Sequence, residues 1–369
     1  MTNSASSTPV RAAVCRGFGE PLSIETLLLA PPAAGQIQVK VIASAICHSD
    51  IHFFDGAWGG NLPAVWGHEA AGVVESVGPD VDGFDEGDHV VVTLIKSCGK
   101  CRNCLAGVSV ACTGELSDHP SPLTDGEGNS IAHGLGTAAF AERAIVDQSQ
   151  AVVIDQAMDL APASLLACGV ITGVGAALNT ARIEQGSSVV VIGTGGVGLN
   201  AVQGARLAGA TTIIAADLND AKLETSRTFG ATDLVNSGTT DLAEAVREIT
   251  RGAMADYVLV TVGAKGPIEQ APRLLAPNGT AVIVGMLATG VTATIDPVTM
   301  AALNQSLLGS KMGTSTISED IPDLVAKYQQ GELLLDALIS QTCTLDDIND
   351  AIESVKSGDA VRNVILFDH

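Results

Sequence analysis

The pattern of apolar positions changes near residue 160 of the chain. Before that point, short strand-like runs such as residues 37–42 and 71–77 are separated by clusters of glycine, proline and aspartate, which predicts an irregular, mostly β domain. After it, helical stretches alternate with continuous apolar runs at residues 188–192, 212–216, 257–260 and 280–284. Strands that are buried on both faces have this composition, so the second half predicts a doubly wound parallel sheet of the α/β class.

The C-terminal region does not continue this alternation. It contains amphipathic helical segments at residues 321–330 and 345–357 and a closing strand at 363–367. A chain of 369 residues exceeds what one hydrophobic core normally serves, so we expect two domains, with the C-terminal region returning to the first. The predicted boundaries are 1–169 with 311–369 for one domain and 170–310 for the other.

Composition narrows the possible partners and the compartment. Forty-one acidic and 19 basic residues give a formal net charge of −22, which repels nucleic acid and anionic lipid surfaces and argues against both as partners. The N-terminus lacks the features of a signal peptide and no apolar run is long enough to span a bilayer, so we expect a cytoplasmic protein. In a reducing compartment the eight cysteines predict metal ligands or buried thiols rather than disulfides.

A strand, a glycine-rich turn and a helix follow one another at the start of the second half. The G-x-G-x-x-G turn and its neighbours are Gly193, Gly195, Gly196, Val197 and Gly198. Such a turn lets backbone approach a pyrophosphate at a helix N-terminus. The next strand ends on Asp217, which can bind both ribose hydroxyls, and Leu218 offers no charge to a 2′-phosphate. The pattern favours NAD over NADP, and the alternative is a glycine-rich turn without a ligand.

Four cysteines lie within one loop of the first half. Cys98, Cys101, Cys104 and Cys112 are separated by two, two and seven residues, and closed structural zinc sites commonly use four thiolates. The spacing predicts a structural zinc lobe. An iron–sulfur cluster fits the same ligands and is the main alternative, and unrelated thiols or a redox pair are less compatible with the spacing.

A second set of metal ligands is dispersed along the chain. Cys47 and Cys168 flank His68 and Glu69, and two thiolates with one imidazole leave a fourth position open on a catalytic zinc. Taken alone, each residue is equally compatible with a core thiol or an ordinary histidine. Periodicity cannot prove that they meet in space.

These motifs together resemble the zinc-dependent alcohol dehydrogenases of the medium-chain dehydrogenase/reductase family, from about residue 11 to 367. The resemblance is carried by residues 47–50, 67–69, the four-cysteine lobe, Cys168 with Thr172, the glycine turn with Asp217, and 361–363. It implies a GroES-like, mostly β catalytic domain and a Rossmann domain that binds the dinucleotide.

The resemblance also implies roles for single residues. Cys47, His68 and Cys168 would bind the catalytic zinc, with Glu69 behind or transiently on the metal and Asp50 orienting His68. The residues implied in cofactor binding are His48 and Arg362 near the pyrophosphate, Lys222 at the adenosine ribose, and Thr172 and Val197 at the nicotinamide.

A proton relay is a further implication of the resemblance. Family members pass the alcohol proton to solvent through a hydroxyl, the cofactor ribose and a histidine, and Ser49 and His52 occupy these positions. A solvated loop histidine and a helix N-cap are the alternative interpretations of His52 and Ser49.

The residues expected to line the substrate pocket differ from those of one subgroup of this family. The lobe spacing resembles the animal-type and glutathione-dependent formaldehyde classes, but Trp58 and Leu116 replace the polar residues that hold the glutathione adduct. Trp58, Leu94 and Leu135 fall where pocket walls are expected, which predicts an apolar pocket for medium-length or aromatic alcohols. The alternative for Trp58 is that it packs the loop.

The sequence therefore predicts an NAD-dependent zinc alcohol dehydrogenase with two zinc ions per chain, acting on a small primary or secondary alcohol or aldehyde. A thiol-adduct formaldehyde dehydrogenase, an oxidoreductase that keeps NADH bound and uses an external acceptor, and a non-enzymatic sensor of NAD redox state are the alternatives. The resemblance also implies a homodimer joined through an apolar edge of the dinucleotide domain near residues 280–296, with a homotetramer as the alternative.

Overall fold

The computed structural model describes residues 7–369. Its strands in chain order are β1 Thr8–Cys15, β2 Ser23–Leu29, β3 Gln36–Ala45, β4 Ala64–Val65, β5 Glu69–Val77, β6 His89–Val92, β7 Leu123–Thr124, β8 Ser130–His133, β9 Arg143–Asp147, β10 Ala151–Val153, β11 Ser188–Ile192, β12 Thr212–Asp217, β13 Asp233–Asn236, β14 Ala255–Val260, β15 Leu275–Ile283, β16 Ser306–Gly309, β17 Ile339–Cys343 and β18 Arg362–Leu366. Its α-helices are α1 His48–Phe54, α2 Arg102–Leu105, α3 Leu160–Ser164, α4 Gly169–Gly175, α5 Gly196–Leu207, α6 Asp220–Phe229, α7 Leu242–Ile249, α8 Lys265–Gln270, α9 Pro297–Ala302, α10 Ile317–Gln329 and α11 Ile348–Ser357.

The chain divides into two compact units, one containing the residues up to Cys168 together with Thr316–His369 and the other Gly169–Ser315. In the first unit, β1, β2, β7, β8 and β4 close a barrel, and a second sheet has the order β10-β6-β5-β3-β18-β17 with β9 beside β3. The C-terminal strand β18 pairs antiparallel with β3. The first unit is therefore completed by the end of the chain.

Strand β3 shows why the first unit forms antiparallel sheets. Ile37, Val39 and Val41 are fully buried, whereas Gln38 and Lys40 between them are partly exposed. This two-residue period places one face of the strand against the core and the other toward polar surroundings.

The second unit contains the predicted doubly wound sheet. Its strand order is β13-β12-β11-β14-β15-β16, and every neighbouring pair is parallel. The first strand in sequence, β11, lies in the middle of the sheet, and the sheet continues on both sides of it. Val189, Val190 and Val191 are fully buried, as expected for a strand covered on both faces.

Two features of the second unit differ from the expectation. The strand predicted at residues 280–284 begins at Leu275, and the sequence analysis did not find β13 or β16. Thr280–Ile283 is hydrogen-bonded to β14 on one side and β16 on the other, so this part of the segment lies inside the sheet. The two edge strands are β13 and β16, and each has only four residues, of which at most one is buried.

Within residues 7–369, no single helix has both the length and the apolar composition needed to cross a bilayer, although the consecutive pair Leu160–Ala167 and Gly169–Ala181 passes the same test together.

Candidate functional site

Strand pairing brings three dispersed segments of the first unit together. Ala45, at the end of β3, lies opposite Glu69, the first residue of β5, and opposite Val364 of β18. Cys47 just beyond β3 and His68 just before β5 are therefore neighbours. Arg362 lies beside both because it begins β18.

A turn at Leu165–Ala167 packs against β5 and ends at Cys168. The ligand atoms of Cys47, His68, Glu69 and Cys168 lie within 4.8 Å of one another, and all four residues are buried. The structure thus unites the four residues whose proximity the sequence could not establish.

Asp50 links the parts of this cluster. Its Oδ1 accepts a hydrogen bond from the backbone N–H of Gly67 at 3.1 Å and lies 2.8 Å from Nδ1 of His68. Its Oδ2 accepts from the backbone N–H of Cys47 at 3.3 Å. A carboxylate at Nδ1 favours a proton on that nitrogen, which leaves the lone pair of Nε2 for the cluster.

The cluster fits a metal ion better than it fits an empty core. Among the described residues, His68 Nε2 and Glu69 Oε1 are buried without a hydrogen-bond partner, a costly condition unless a ligand is bound. The hydrogen bond from Cys168 lowers the pKa of the Cys47 thiol, and the same interaction together with burial raises the pKa of Cys168. Two thiols, one imidazole and an open side are the donor set of a catalytic zinc.

A buried ion pair lies beside the ligands. Arg362 Nη2 donates to Glu69 Oε2, and the two side chains are 5% and 0% exposed. Burial raises the pKa of Glu69 to about 8 despite this partner. This pKa applies without a metal, and a divalent cation beside Glu69 would lower it. With Glu69 ionised, two thiolates would balance the divalent cation and Arg362 would balance Glu69, which leaves the buried site without net charge.

The four lobe cysteines also converge. Their sulfur atoms lie within 4.8 Å of one another, with Sγ–Sγ distances of 3.5 Å for Cys101–Cys104 and 4.0 Å for Cys98–Cys104. A tetrahedral zinc with Zn–S bonds of about 2.3 Å separates its sulfur ligands by about 3.8 Å. An iron–sulfur cluster distributes its four thiolates over two or more iron atoms, which requires wider spacing between some of the sulfur atoms, so the lobe fits one zinc ion.

Backbone geometry supports the lobe. The N–H of Cys98 donates to Cys112 Sγ and that of Cys101 to Cys98 Sγ, both at 3.3 Å. A Cβ atom at Gly114 would lie 2.2 Å from Cys98 Sγ. The sequence analysis missed Gly114, although a glycine two residues after the last lobe cysteine is a visible indication of close packing.

Three glycines in the turn of the second unit have different structural roles. Gly193 has φ +95°, and a Cβ there would lie 2.3 Å from Val262. A Cβ at Gly198, inside α5, would lie 1.8 Å from the carbonyl oxygen of Gly193, whereas a Cβ at Gly195 would meet nothing within 4 Å. Gly193 and Gly198 are thus needed for the turn and for helix packing, and Gly195 leaves space for a ligand.

Asp217 lies at the end of β12 with its carboxylate fixed. Its Oδ2 accepts from the backbone N–H and the hydroxyl of Thr194 at 2.7 and 3.0 Å, and its Oδ1 accepts from the N–H of Leu218 at 2.8 Å. Asp217 and Gly193 line one cleft with Lys265. Thr194, which the sequence analysis did not single out, occupies a variable position of the glycine motif.

The remaining predicted cofactor residues are placed as follows. His48 is exposed at the start of α1, Lys222 lies in α6 and is partly exposed, and Gly196 and Val197 begin α5. Thr172 lies in α4 and is 8% exposed, and its hydroxyl contacts the sulfur of Met312 at 3.6 Å.

The predicted relay and pocket residues belong to the first unit. Ser49 and His52 lie three residues apart in α1, so they share one face of that helix. Trp58, Leu94 and Leu135 are partly exposed, and Leu135 adopts a left-handed conformation with φ 55°.

Comparison with known proteins agrees with both units. A family model described as "Alcohol dehydrogenase GroES-like domain" matches residues 33–156, and one described as "Zinc-binding dehydrogenase" matches residues 196–330. The chain is 36% identical to alcohol dehydrogenase-like 7 of Arabidopsis thaliana, over 98% of this chain and 97% of that protein. It is 34% identical to alcohol dehydrogenase class-2 isozyme 2 of Oryctolagus cuniculus, over 97% of each.

A solved structure is also similar to this chain over nearly its whole length. The benzyl alcohol dehydrogenase of Acinetobacter calcoaceticus superposes with a TM-score of 0.92 at 31% identity, covering 98% of this chain and all of that one. The expected combination of a GroES-like domain with a Rossmann-like domain is confirmed. With both family models matched and relatives aligned over nearly its whole length, the chain belongs to the zinc-type alcohol dehydrogenases of the medium-chain dehydrogenase/reductase family.

Proposed function

We propose that this alcohol dehydrogenase uses NAD and two zinc ions to interconvert a small primary or secondary alcohol with an apolar or aromatic substituent and its aldehyde or ketone. One observation carries the proposal, the convergence of Cys47, His68 and Cys168 within 4.8 Å beside Glu69 in a buried cluster. Three such ligands leave one coordination position for a substrate oxygen.

Each zinc site has its own task. The four lobe cysteines fill every position of a tetrahedral ion, so that site stabilises the loop and takes no part in the reaction. At the other site, zinc supplies Lewis acidity that lowers the pKa of an alcohol hydroxyl, and NAD supplies the hydride acceptor.

The protein's own residues hold this site in order. Asp50 fixes the ring of His68 through the 2.8 Å contact at Nδ1. Arg362 neutralises Glu69 within the same buried region, and we propose that its guanidinium also approaches the cofactor pyrophosphate, as does His48.

The alcohol proton must leave a dry site. Ser49 and His52 lie on one face of α1. We assign Ser49 Oγ as the group that accepts the proton from the alcohol hydroxyl and His52 as the imidazole that passes it to water, after which both groups return to their starting protonation states.

The proposed preference for NAD rests on Asp217. Its carboxylate is held at the rim of the cleft by Thr194 and by backbone N–H groups, ready to accept ribose hydroxyls. The same fixed negative charge repels a 2′-phosphate. We propose that Lys222 contacts the ribose and that Thr172 and Val197 contact the nicotinamide.

The substrate class follows from the pocket side chains. Trp58, Leu94 and Leu135 offer apolar surface, and Leu116 is 40% exposed. A charged thiol adduct would find no polar partner on these side chains, a loss that strongly disfavours such a substrate. The similar protein from Acinetobacter calcoaceticus is described as a benzyl alcohol dehydrogenase, which favours aromatic alcohols here.

A homodimer is the proposed assembly. The edge strand β16 carries Leu308, which is 39% exposed. Val298, in the helix α9 that precedes β16 in the chain, is 75% exposed. A second copy that extends the sheet across this edge would satisfy its backbone groups and cover both apolar side chains.

Two measurements test the function. Metal analysis should find two zinc ions per chain and no iron, matching the two clusters, and NADH absorbance should rise with short aliphatic, long aliphatic and aromatic alcohols, with the aromatic ones favoured. Turnover only with formaldehyde and a thiol would replace the proposal by the thiol-adduct enzyme. Turnover only with an external acceptor, or tight NADH binding without turnover, would favour the remaining alternatives.

A further inference from the structure

We propose that Trp58 is a positioning residue for His52, holding its imidazole in the orientation that releases the substrate proton, in addition to any contact with the alcohol. This inference rests on the proposed function, because it concerns the relay assigned to His52. Positioning His52 is a different role from lining the substrate pocket, and an experiment can distinguish the two roles.

The contact between the two rings is direct. The His52 and Trp58 ring centroids are 4.8 Å apart with an interplanar angle of 39°, within the range of favourable aromatic contacts. The backbone N–H of Trp58 also donates to the carbonyl oxygen of His52 at 3.4 Å. The loop that carries Trp58 therefore folds back onto the end of α1 and places the indole against the imidazole.

The indole is itself anchored to the protein core. Phe53 meets Trp58 edge to face at 5.3 Å and stacks on Trp66 at 4.8 Å with an interplanar angle of 19°. Trp66 is 5% exposed and directly precedes Gly67 and His68. Four rings thus form a continuous series from the core beside a metal ligand to the imidazole.

The orientation of a relay histidine matters because both of its ring nitrogens take part in proton transfer. One nitrogen must face the hydroxyl that delivers the proton, and the other must face water. His52 lies near the end of a short helix and is only partly buried, so its side chain has rotamers that break this path. An aromatic contact of ordinary strength favours one orientation over the others by between about two- and tenfold.

This reasoning predicts a specific kinetic defect. In zinc-loaded Trp58→Leu enzyme mixed with NAD and alcohol in a stopped-flow instrument, a pH-indicator dye should show proton release slowed by between about two- and tenfold. The factor should be the same for ethanol and benzyl alcohol, because the proton path is common to both. Trp58→Phe retains an aromatic ring and should recover most of the rate.

A double-mutant cycle tests whether Trp58 acts through His52. In a His52→Gln background, Trp58→Leu should slow proton release no further. Raising the concentration of HEPES, a base that can replace the imidazole, should restore the rate of NADH formation in both Trp58→Leu and His52→Gln. This rescue is followed by NADH absorbance, because added buffer suppresses the dye signal. Leu135→Ala provides the matched control, since it removes a predicted pocket wall without touching His52 and should change KM according to alcohol size, with no response to HEPES.

The outcomes are distinguishable. Normal proton release in Trp58→Leu with a KM that depends on alcohol size overturns the inference and leaves Trp58 as a pocket wall. Independent, multiplicative effects of the two substitutions also overturn it. If Trp58→Leu fails to fold, Trp58→Met replaces it in the same cycle as the variant without an aromatic ring. Absence of alcohol turnover in the wild-type enzyme overturns the proposed function itself.

Discussion

The side chain of Asp50 contributes both to the start of helix α1 and to the orientation of a predicted metal ligand. It lies three residues after Cys47, accepts the backbone N–H of that residue at the start of α1, and also contacts His68 Nδ1 at 2.8 Å. Helix initiation and ligand orientation therefore share one carboxylate. Its complete burial is tolerated because each of its oxygens has a partner.

The metal assignment is tested by Cys47→Ser. Removing one of three ligands should lower the zinc content from two ions to one per chain, because the lobe cluster is separate. Turnover should fall by more than about a hundredfold, since even residues that only orient a ligand cost up to that factor. Zinc analysis and steady-state rates measure the two effects.

Cys343→Ser is the matched control for this prediction. Cys343 is a free, partly exposed thiol outside both clusters, so its variant should keep two zinc ions and normal turnover. Full activity in Cys47→Ser, or loss of the lobe zinc together with the catalytic one, would contradict the assignment.

His133 predicts a pH dependence of stability. Burial lowers its pKa to about 4 in the folded protein, below the ordinary value of about 6.5. Between these two values the unfolded chain binds more protons, so the free energy of unfolding falls as the pH decreases and is constant above this window. From pH 7 to about pH 5 the loss due to this residue should be about 2 kcal/mol.

Urea unfolding of wild type and His133→Gln across this range measures the effect. The variant should lose less stability on acidification, while above pH 7 the two curves should run parallel. An identical slope for both proteins below pH 6 would show that His133 is already protonated in the folded state.

At the scale of elements, the turn between β11 and α5 determines how the dinucleotide domain combines packing with binding. Two glycines are required by neighbouring protein atoms and one is not. The same motif therefore contains positions that serve the fold and a position that serves the ligand. Substitution by alanine separates these roles because it adds one methyl group.

Gly195→Ala should leave stability unchanged, because its Cβ would enter open space. The methyl group would instead obstruct the approach of a pyrophosphate and weaken NADH binding by about tenfold or more. Gly198→Ala is the contrasting variant, since its Cβ would lie 1.8 Å from the Gly193 carbonyl oxygen, and it should cost about 1–3 kcal/mol of stability.

Thermal unfolding without cofactor and fluorescence titration with NADH measure these two quantities. Unchanged NADH affinity in a well-folded Gly195→Ala protein would place the pyrophosphate elsewhere. A normal melting temperature for Gly198→Ala would show that α5 can shift to accept the methyl group.

At the scale of the whole molecule, the edge strand β16 is the surface at which we propose that two copies pair. Leu308→Asp would place a charge on β16 where a second copy is proposed to pair, and it should raise the dimer dissociation constant by about thirtyfold or more. Sedimentation velocity over a dilution series measures the change. Leu105→Asp is the control, because Leu105 is 76% exposed in the lobe and is not part of this sheet.

An unchanged dimer in Leu308→Asp would move the interface to another surface. A wild-type protein that is monomeric at all concentrations would contradict the dimer proposal altogether, and a tetramer that Leu308→Asp reduces to dimers would support the edge as one of two interfaces.

Local pattern was sufficient for much of this protein. The apolar run at 188–192 coincides with β11, and the lobe cysteines meet because only short turns separate them. The edge strands β13 and β16 escaped prediction because each has four residues, of which at most one is buried. A local sequence pattern reflects interactions between residues that are close along the chain. An edge strand forms because it pairs with a neighbouring strand of the sheet, and that pairing leaves no local pattern.

The sequence by itself determined the two-part α/β organisation, the glycine turn, the lobe ligands and the identity of the residues able to bind a catalytic metal. Only the tertiary structure decided that Cys47, His68 and Cys168 meet, that Arg362 pairs with Glu69, and that Trp58 covers His52. The physical reason is separation along the chain. Strand pairing of β3 with β5 and β18 closes loops of very different length, and no periodicity in the sequence records which distant strands will pair.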